Sequence, residues 1–255
     1  MNSNNVLAYL AIKFNGDWNK VYHAIKFKEV VNLVEVEQVI SECKNKFITI
    51  LDEEYPDVFK NIYRPPMVLF YKGDISLLNN KRILGVVGTR NPSDYGIYAA
   101  KKVIRETDQD IVIVSGLAKG IDSIAHETAI ETKKKTIAFL GCGINYIYPT
   151  ENYQLYKDIE ENGLILSEYP DMTPPDKENF PFRNRLIAGL SKGVLAVEAK
   201  NKSGTSTTIT SAAAFGKLVL AIPCPIDDED DSLCNALIRD GAVVVTSGKD
   251  INEEI

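Results

Sequence analysis

The sequence has few of the residues on which most catalytic and metal sites depend. Its 255 residues include two histidines and four cysteines, and the cysteines form no CxxC pair. Widely separated cysteines are typical of buried thiols in a reducing cytoplasm, and they argue against a zinc site or a disulfide framework. An HExxH motif, a P-loop and a Ser-His-Asp order are also missing. We therefore expect no metal, no other cofactor and no catalytic residue.

Long apolar runs are missing as well. None approaches the ~20 residues that a transmembrane helix needs. Residues 1–5 show no basic cluster followed by an apolar core, so no signal peptide is expected. We therefore expect a cytoplasmic protein with no membrane partner.

The charge is unevenly distributed along the chain. The formal net charge is −6, but residues 227–255 hold nine acids and two bases, so the other 226 residues sum to +1. Residues 177–202 have a local net charge of +4. Local field matters more than net charge for binding a polyanion, although ordinary surface charge explains the same pattern. The bases of this segment are Lys177, Arg183, Arg185, Lys192, Lys200 and Lys202, against Glu178 and Glu198.

From residue 83 onward, short apolar runs alternate with polar turns and amphipathic stretches. Runs of Val, Ile, Leu and Ala without polar alternation are typical of strands that are buried on both faces of a parallel sheet. The pattern predicts a doubly wound α/β fold with a mostly parallel sheet. Strands are predicted at 83–88, 111–115, 136–141, 163–168, 193–198, 218–223 and 242–246, and helices at about 94–107, 120–133, 151–161, 182–191, 205–215 and 232–239.

Residues 1–50 have a different pattern, which predicts a small helical N-terminal lobe. Residues 51–255 form the α/β domain, and residues 51–82 are an extension that joins the two. Residues 47–51 and 68–73 are predicted strands, the second at a sheet edge, and the acidic run 227–231 is a predicted solvated loop. Apolar residues recur at helical spacing over Val6–Phe14, Trp18–Phe27 and Val36–Lys46.

Several predicted strands end in a glycine-containing turn that leads into a helix. Backbone N–H groups in such a turn lie at the positive end of a helix dipole, which makes the turn an anion site. Several such turns in one chain indicate a ligand with several phosphates. A tight turn with a solvated lysine, or a helix cap, would explain some of them equally well. The turns are Gly88-Thr89-Arg90, Ser115-Gly116-Leu117-Ala118-Lys119-Gly120 and Ser203-Gly204-Thr205.

The segment from Tyr169 to Arg185 is the most unusual stretch. It begins as a proline-rich extended loop, and a helix with Arg183, Asn184 and Arg185 in its first turn is predicted to follow. The helix dipole disfavours cations there, so an anion or carboxylates should lie nearby. Phe180 beside Lys177 resembles the aromatic platforms of single-strand binders.

Other interpretations stay open for some of these residues. Phe180 is a candidate core aromatic, and Arg183 or Arg185 could pair with Glu198. His126 is a weak candidate catalyst, since a lone histidine on a helix is more often a packed side chain. The Gly85-x-x-Gly88 spacing is not the dinucleotide fingerprint, so it gives little support for an NAD site.

Six segments together resemble the DNA-processing protein A family (DprA, also called Smf). Each motif alone is weak, but they occur in the order of the family, over about residues 47–246. Two features depart from the family pattern: Pro223-Cys224 stands where proline-glycine is usual, and we expect no winged-helix-like domain after Ile255. The segments are 88–90, 115–122, Tyr148-Pro149, 180–191, 198–205 and 235–242.

The resemblance implies a Rossmann-like domain that binds single-stranded DNA and is not an enzyme. Such proteins protect incoming DNA in natural transformation, help to load the RecA recombinase and act as homodimers. The main rival is a nucleotide phosphoribohydrolase of the lysine-decarboxylase-like family, but the glutamate of its glycine-rich loop is missing after Thr208. The candidate DNA-binding residues are Gly88, Thr89, Arg90, Ser115, Gly116, Lys119, Gly120, Lys177, Phe180, Arg183, Asn184, Arg185, Ser203, Gly204 and Thr205.

Overall fold

A computed structural model describes residues 2–201, 203–225 and 232–255. Nine strands form one sheet in the order β1-β2-β6-β5-β4-β3-β7-β8-β9. The predicted loop at 227–231 and Lys202 lie outside the described residues. The strands are β1 (Lys46–Thr49), β2 (Val68–Gly73), β3 (Ile83–Gly88), β4 (Val112–Ser115), β5 (Thr136–Phe139), β6 (Leu164–Ser167), β7 (Gly193–Val197), β8 (Leu218–Ala221) and β9 (Val243–Val244).

Helices cover both faces of this sheet. The predicted helices are present with shifted bounds, and two short helices, Asp57–Lys60 and Gly248–Glu254, were not predicted. The helices are α1 (Ser3–Lys13), α2 (Trp18–Lys26), α3 (Leu33–Glu42), α4 (Asp57–Lys60), α5 (Asp94–Glu106), α6 (Ile121–Glu131), α7 (Tyr153–Asn162), α8 (Asn179–Leu190), α9 (Gly204–Ala214), α10 (Leu233–Arg239) and α11 (Gly248–Glu254), with 3₁₀ turns at Ile75–Asn79 and Thr150–Asn152.

The sheet is parallel from β6 to β9, as the apolar runs predicted. Successive strand residues belong to opposite cores: Ile83 and Val87 face one, while Leu84 and Val86 face the other. Burial on both faces explains why these runs do not alternate with polar residues. The fold is therefore the Rossmann-like, doubly wound α/β architecture, which confirms the predicted class.

The edge position predicted for 68–73 is wrong. β2 lies between β1 and β6 and is antiparallel to both. β1, which residues 46–49 form, covers the edge of β2 instead. The sequence of a single strand does not reveal which other strand covers its edge.

The N-terminal helices begin at polar residues that accept hydrogen bonds from their first turns. Asn2, Asp17 and Asn32 cap α1, α2 and α3 through side-chain oxygens. The cap at Asn32 explains why α3 begins earlier than the predicted Val36. The lobe packs through residues such as Leu10 against the sheet, and the indole N–H of Trp18 donates to the Pro65 carbonyl at 2.8 Å.

β3 is the first strand in the chain that belongs to the parallel part of the sheet. The strands that follow it are added first on one side of β3 and then on the other. The chain runs from β3 through β4 and β5 to β6 on one side, then crosses to β7 on the other. Ligands of doubly wound folds bind at this switch point, outside the carboxyl ends of the strands. Among the residues described, we find no helix with the length and apolarity that a membrane span requires.

Candidate functional site

An open cavity of about 670 Å³ lies at the switch point, beyond the carboxyl ends of β3 and β7. The turn after β3, the start of α8 and the segment before α9 form its walls. Ten of the candidate residues line it together, although they come from three distant segments of the chain. They are Gly88, Thr89, Arg90, Lys177, Phe180, Arg183, Asn184, Ser203, Gly204 and Thr205.

The other five candidates have different positions. Gly116 and Lys119 line a smaller cavity of about 100 Å³, which shares Arg90 and Phe180 with the first. Ser115, Gly120 and Arg185 line neither of these two cavities. The hydroxyl of Ser115 is buried and donates to the Val86 carbonyl at 2.7 Å. Ser115 therefore joins β4 to β3 rather than facing a ligand.

Glycine is required where the turns after β3 and β4 meet. A Cβ at Gly88 would lie 2.2 Å from the Val197 carbonyl oxygen, and one at Gly120 would lie 2.3 Å from that of Thr89. Gly120 also has a φ of +79°, which disfavours other residues. The Thr205 hydroxyl then donates to the Gly88 carbonyl at 2.9 Å. These contacts hold the turns after β3, β4 and β7 as one unit.

Arg183 forms the floor of the main cavity and is buried. Its guanidinium donates to the carbonyls of Gly116, at 2.7 Å, and Phe139, which lie at the ends of β4 and β5. Burial lowers the pKa of Arg183, and the nearby Asp122 carboxylate opposes that shift. Arg183 therefore holds the strand ends in place, and only part of it borders the cavity.

Asp122 is a buried acid in the same floor. Its carboxylate accepts the backbone N–H groups of Gly116 at 3.2 Å and Ala118 at 3.4 Å. Burial raises the pKa of Asp122, while Arg183 acts against that rise. The Ser115–Gly120 turn is therefore shaped from within the protein, and two of its N–H groups are not available to a phosphate.

Arg185 does not face the cavity, contrary to the expectation for a phosphate ligand. It is buried and forms a bidentate ion pair with Glu168, with both N–O distances at 2.7 Å. The predicted alternative partner, Glu198, is also wrong, because its carboxylate instead accepts the N–H of Ser93 at 2.9 Å. The expectation that two cations oppose the helix dipole in the first turn is wrong as well. Because α8 begins at Asn179, Arg183 and Arg185 lie in its second turn.

The cations that do face solvent at the cavity are Arg90, Lys177 and Lys200. Within the described residues, no carboxylate lies at ion-pair distance from any of these three. Lys119 differs, since its ammonium pairs with the Glu151 carboxylate. With Arg183 added, the lining has four cations against the single carboxylate of Asp122, so the cavity favours an anion.

The N-terminus of α9 adds a second source of positive potential. Ser203, Gly204 and Thr205 line the cavity, and the Ser203 side chain accepts no hydrogen bond from the first turn of the helix. Its hydroxyl donates to the Lys200 carbonyl at 2.6 Å. The first N–H groups of a helix have no partner within the helix. The Asn184 amide donates to the Gly204 carbonyl at 3.1 Å and fixes this end of α9. An anionic ligand in the cavity can accept these N–H groups.

Phe180 lies between the two cavities and lines both. It belongs to the first turn of α8, where Pro181 is tolerated because the missing N–H would have had no helical partner. A Cβ at Gly141 would lie 2.6 Å from the phenyl ring, so that glycine lets the ring approach the backbone. The Tyr148 ring is 5.7 Å away, tilted by 40°. The partly buried Phe180 ring can stack with a flat apolar group.

His126 is fully buried, as the packed interpretation expected. Its Nδ1 lies 2.6 Å from the Thr136 hydroxyl, while Nε2 has no partner among the described residues. Burial, together with the nearby positive charge of Arg183, lowers the pKa of His126 to about 3. Within the described ranges, no cluster of His, Cys, Asp or Glu could hold a metal ion.

Four residues of the site were missing from the sequence-based set. Tyr148 and Lys200 border the main cavity, Asp122 shapes the turn after β4, and Glu168 holds Arg185. The position of Asp122 in the 115–122 motif was a usable signal. No local pattern indicated Glu168, because a buried ion pair depends on two segments meeting in space.

Sequence comparisons give strong similarity over most of the chain. The model of the family described as DNA recombination-mediator protein A matches residues 46–255. DNA processing protein DprA of Bacillus subtilis is 43% identical over 213 residues, which span 82% of this chain and 70% of that protein. The Streptococcus pneumoniae protein of the same description is 45% identical over 206 residues, 81% of this chain and 73% of that protein.

Solved structures agree with the sequence comparisons. The X-ray structure of DNA processing protein A from Streptococcus pneumoniae has a TM-score of 0.80 and 36% identity, covering 98% of this chain and 93% of that one. DNA processing protein A from Helicobacter pylori, whose structure concerns its single-stranded DNA binding mode, has a TM-score of 0.74 and 32% identity. The match covers 84% of this chain and 96% of the Helicobacter chain.

Proposed function

The chain belongs to the DNA recombination-mediator protein A family, and from that premise we propose that it binds single-stranded DNA in the cavity beside β3, α8 and α9. One observation carries the proposal: a helix N-terminus, a partly buried aromatic ring and cations that have no carboxylate partner among the described residues share one open cavity. Phosphates would accept from Arg90, Lys177, Lys200 and the first N–H groups of α9. A base would stack on Phe180.

The wider role follows from the family. We propose that the protein is cytoplasmic, processes incoming DNA in natural transformation, and acts as a homodimer that helps to load the RecA recombinase. The family description as a recombination mediator and the naming of the Bacillus and Streptococcus relatives support this assignment. Co-purification of the protein with the recombinase on single-stranded DNA, and its mass in solution, test these two partners.

We further propose that the protein binds DNA without catalysis. The complete burial of His126 supports this, since its side chain lines neither cavity. The rival phosphoribohydrolase reaction is tested by incubating the protein with AMP and measuring free adenine. Release of adenine by the purified protein, lost on substitution of a cavity residue, would contradict the proposal.

Arg90→Ala should weaken binding to labelled oligo-dT by about tenfold or more, because a hydrogen bond to a charged group contributes about 1.5–3 kcal/mol. The slope of log affinity against log salt should become shallower by about 0.7, since one phosphate contact to a single strand is lost. Fluorescence anisotropy across a salt series measures both quantities.

The matched control for Arg90 is Lys192→Ala, which removes the same charge. Lys192 is exposed and precedes β7, so it lies at the end of the strand opposite the cavity. Its substitution should leave affinity and slope unchanged within experimental error. If Arg90→Ala and Lys192→Ala lowered the affinity for DNA equally, only the overall charge of the protein would matter. The cavity would then not be the binding site.

Phe180→Leu should lower affinity by about 1–3 kcal/mol through the loss of base stacking. Phe180→Tyr keeps the ring and should bind like the wild type. Because no charge changes, the salt dependence of both variants should match that of the wild type. A Leu variant that binds as tightly as the Tyr variant would show that the ring has only a packing role.

A further inference from the structure

A band of aromatic and cationic side chains crosses the N-terminal lobe and reaches the start of α8. We call it the aromatic strip and define it by Trp18, Tyr22, Lys26, Tyr63, Arg64 and Phe182. None of these residues lines the cavity proposed to bind DNA. Binding of DNA in the cavity therefore does not account for the aromatic and cationic residues of this strip.

The part of the strip on α2 has rings and a cation on one helix face. Trp18 and Tyr22 are four residues apart, and their rings stack at 5.0 Å with planes 14° apart. The Lys26 ammonium lies 6.0 Å from the Tyr22 ring and 5.7 Å from the ring of Phe27. Tyr22 is 45% exposed, and Lys26 is exposed as well. This face thus presents aromatic surface and positive charge to solvent.

Arg64 joins the lobe to α8. Its guanidinium lies 5.3 Å from the Trp18 ring, 5.1 Å from the Tyr63 ring and 6.0 Å from the Phe182 ring. Tyr63 is 63% exposed, so one side of this cluster is open. Alternating rings and cations on an open surface are the composition of a stacking platform for unpaired bases.

The backbone of Arg64 is held in a conformation that this residue type disfavours. Its φ is +50°, in the left-handed region. The buried Arg185 holds it there by donating from Nε at 3.0 Å and from Nη2 at 2.8 Å to the Arg64 carbonyl. Strained residues cluster at functional positions and persist where the surrounding structure holds them. The Glu168–Arg185 pair thus positions the Arg64 guanidinium among the rings.

The strip is continuous with the proposed DNA cavity. Phe182 is two residues from Phe180 on the first turn of α8, and Pro181 between them borders the cavity. Lys177, which also borders the cavity, precedes this turn. The Phe182 ring points away from that of Phe180, because residues two apart lie on different sides of a helix, and the Arg185 guanidinium lies 3.7 Å from the Phe182 ring. A strand that leaves the cavity over Pro181 instead continues toward Arg64 and Tyr63.

Charges near the strip favour a polyanion. Two acids next to α2 in sequence have cationic partners: Asp17 lies 3.4 Å from Lys20, and Glu29 lies 3.1 Å from Lys13. In the described part of the chain, no carboxylate lies at ion-pair distance from Lys26 or Arg64. Exposed rings beside exposed cations match the bases and phosphates of a nucleic acid strand.

We propose that the aromatic strip is a second contact surface for single-stranded DNA, which receives the bases that follow those held in the cavity. The proposal rests on the proposed function, because the cavity fixes the part of the strand from which the DNA continues. It predicts a binding site longer than the cavity alone, with Tyr22 and Tyr63 stacking on bases and Lys26 and Arg64 neutralising phosphates.

Tyr22→Ala with Lys26→Ala tests the proposal with oligo-dT of two lengths. An oligonucleotide of about six nucleotides lies near the lower limit for one binding fold, and one of about twenty exceeds the upper limit. The double substitution should weaken binding of the longer oligonucleotide by about tenfold and leave that of the shorter one unchanged. Both substituted positions are exposed, so the thermal midpoint should not shift.

The control is Tyr98→Ala with Lys81→Ala, which also removes one exposed tyrosine and one exposed lysine. It should bind both oligonucleotides like the wild type. Unchanged binding of the longer oligonucleotide by the Tyr22/Lys26 variant would overturn the proposal and assign the strip to a protein partner. If the wild-type protein bound neither oligonucleotide, the proposed function itself would be wrong. Failure of the strip proposal and failure of the proposed function therefore give different results.

Discussion

Replacement of Arg185 by methionine should lower the free energy of unfolding by about 3–5 kcal/mol, because it leaves Glu168 as an uncompensated charge in the protein interior. The two side chains are 4% and 5% exposed, so water cannot take the place of the lost partner. Two hydrogen bonds to the Arg64 carbonyl are lost as well. Urea unfolding followed by circular dichroism measures the change.

A double-mutant cycle separates the free energy of the Arg185–Glu168 interaction from the contacts that each side chain makes with other residues. Glu168→Met alone should be about as harmful as Arg185→Met, because it leaves the guanidinium unpaired. The double variant should recover much of the loss, since two apolar side chains often replace a buried pair at little cost. A strongly favourable coupling free energy between the two positions is therefore expected.

The surface pair of Arg105 and Glu131 provides the control. Its N–O distance is 2.9 Å, but its side chains are 51% and 49% exposed. Arg105→Met should change the free energy of unfolding by less than about 1 kcal/mol. If Arg185→Met were equally mild and abolished DNA binding instead, Arg185 would be a phosphate ligand, and its assignment as a structural residue would be wrong.

The parallel sheet and the turns of the site could be predicted because their signals are local. Apolar runs identify strands buried on both faces, and glycines mark the strand-to-helix turns, so Gly88 and Gly204 were found from sequence. Because the carboxyl ends of parallel strands lie at one edge of the sheet, the turns that follow different strands could be predicted to lie close together. Ten of the candidate residues share one cavity for this reason.

The role of each arginine could not be predicted in the same way. Arg183 and Arg185 are two residues apart on α8, so they point in different directions, toward the strand ends and toward Glu168. Which of these two directions leads to a buried carboxylate depends on how α8 packs in the fold, and the sequence of α8 does not reveal that. The predicted start of the helix, 182 instead of Asn179, misplaced only the first turn. The short strand β1, which covers β2, was likewise not recognisable as an edge from sequence.

His126 should make the protein sensitive to acid, with an effect of about 5 kcal/mol between pH 6.5 and pH 3. Burial lowers its pKa from 6.5 to about 3. Thr136 donates its hydroxyl proton to the Ile113 carbonyl, so His126 Nδ1 is the donor to Thr136 and Nε2 is left bare. Protonation would place an unpaired charge in the core, beside the cation of Arg183.

The direction follows from proton binding. Between pH 3 and 6.5 the unfolded chain binds a proton at His126 and the folded protein does not, so acid favours unfolding. The stabilising effect of the neutral histidine is complete above pH 6.5 and is lost as the pH falls. Asp122, whose pKa is raised by burial, acts in the opposite direction but is present in every variant compared.

His126→Asn removes the titrating group, and its amide can still donate to Thr136. The variant is less stable at neutral pH because the side chain is smaller, but its free energy of unfolding should fall less steeply with acid, by up to about 1.4 kcal/mol per pH unit. His23→Asn, at the exposed second histidine, should keep the steep dependence of the wild type. If the free energy of unfolding depended on pH in the same way for the wild type and His126→Asn, His126 would bind protons equally in the folded and unfolded chains. The complete burial of His126 beside Arg183 argues against that result.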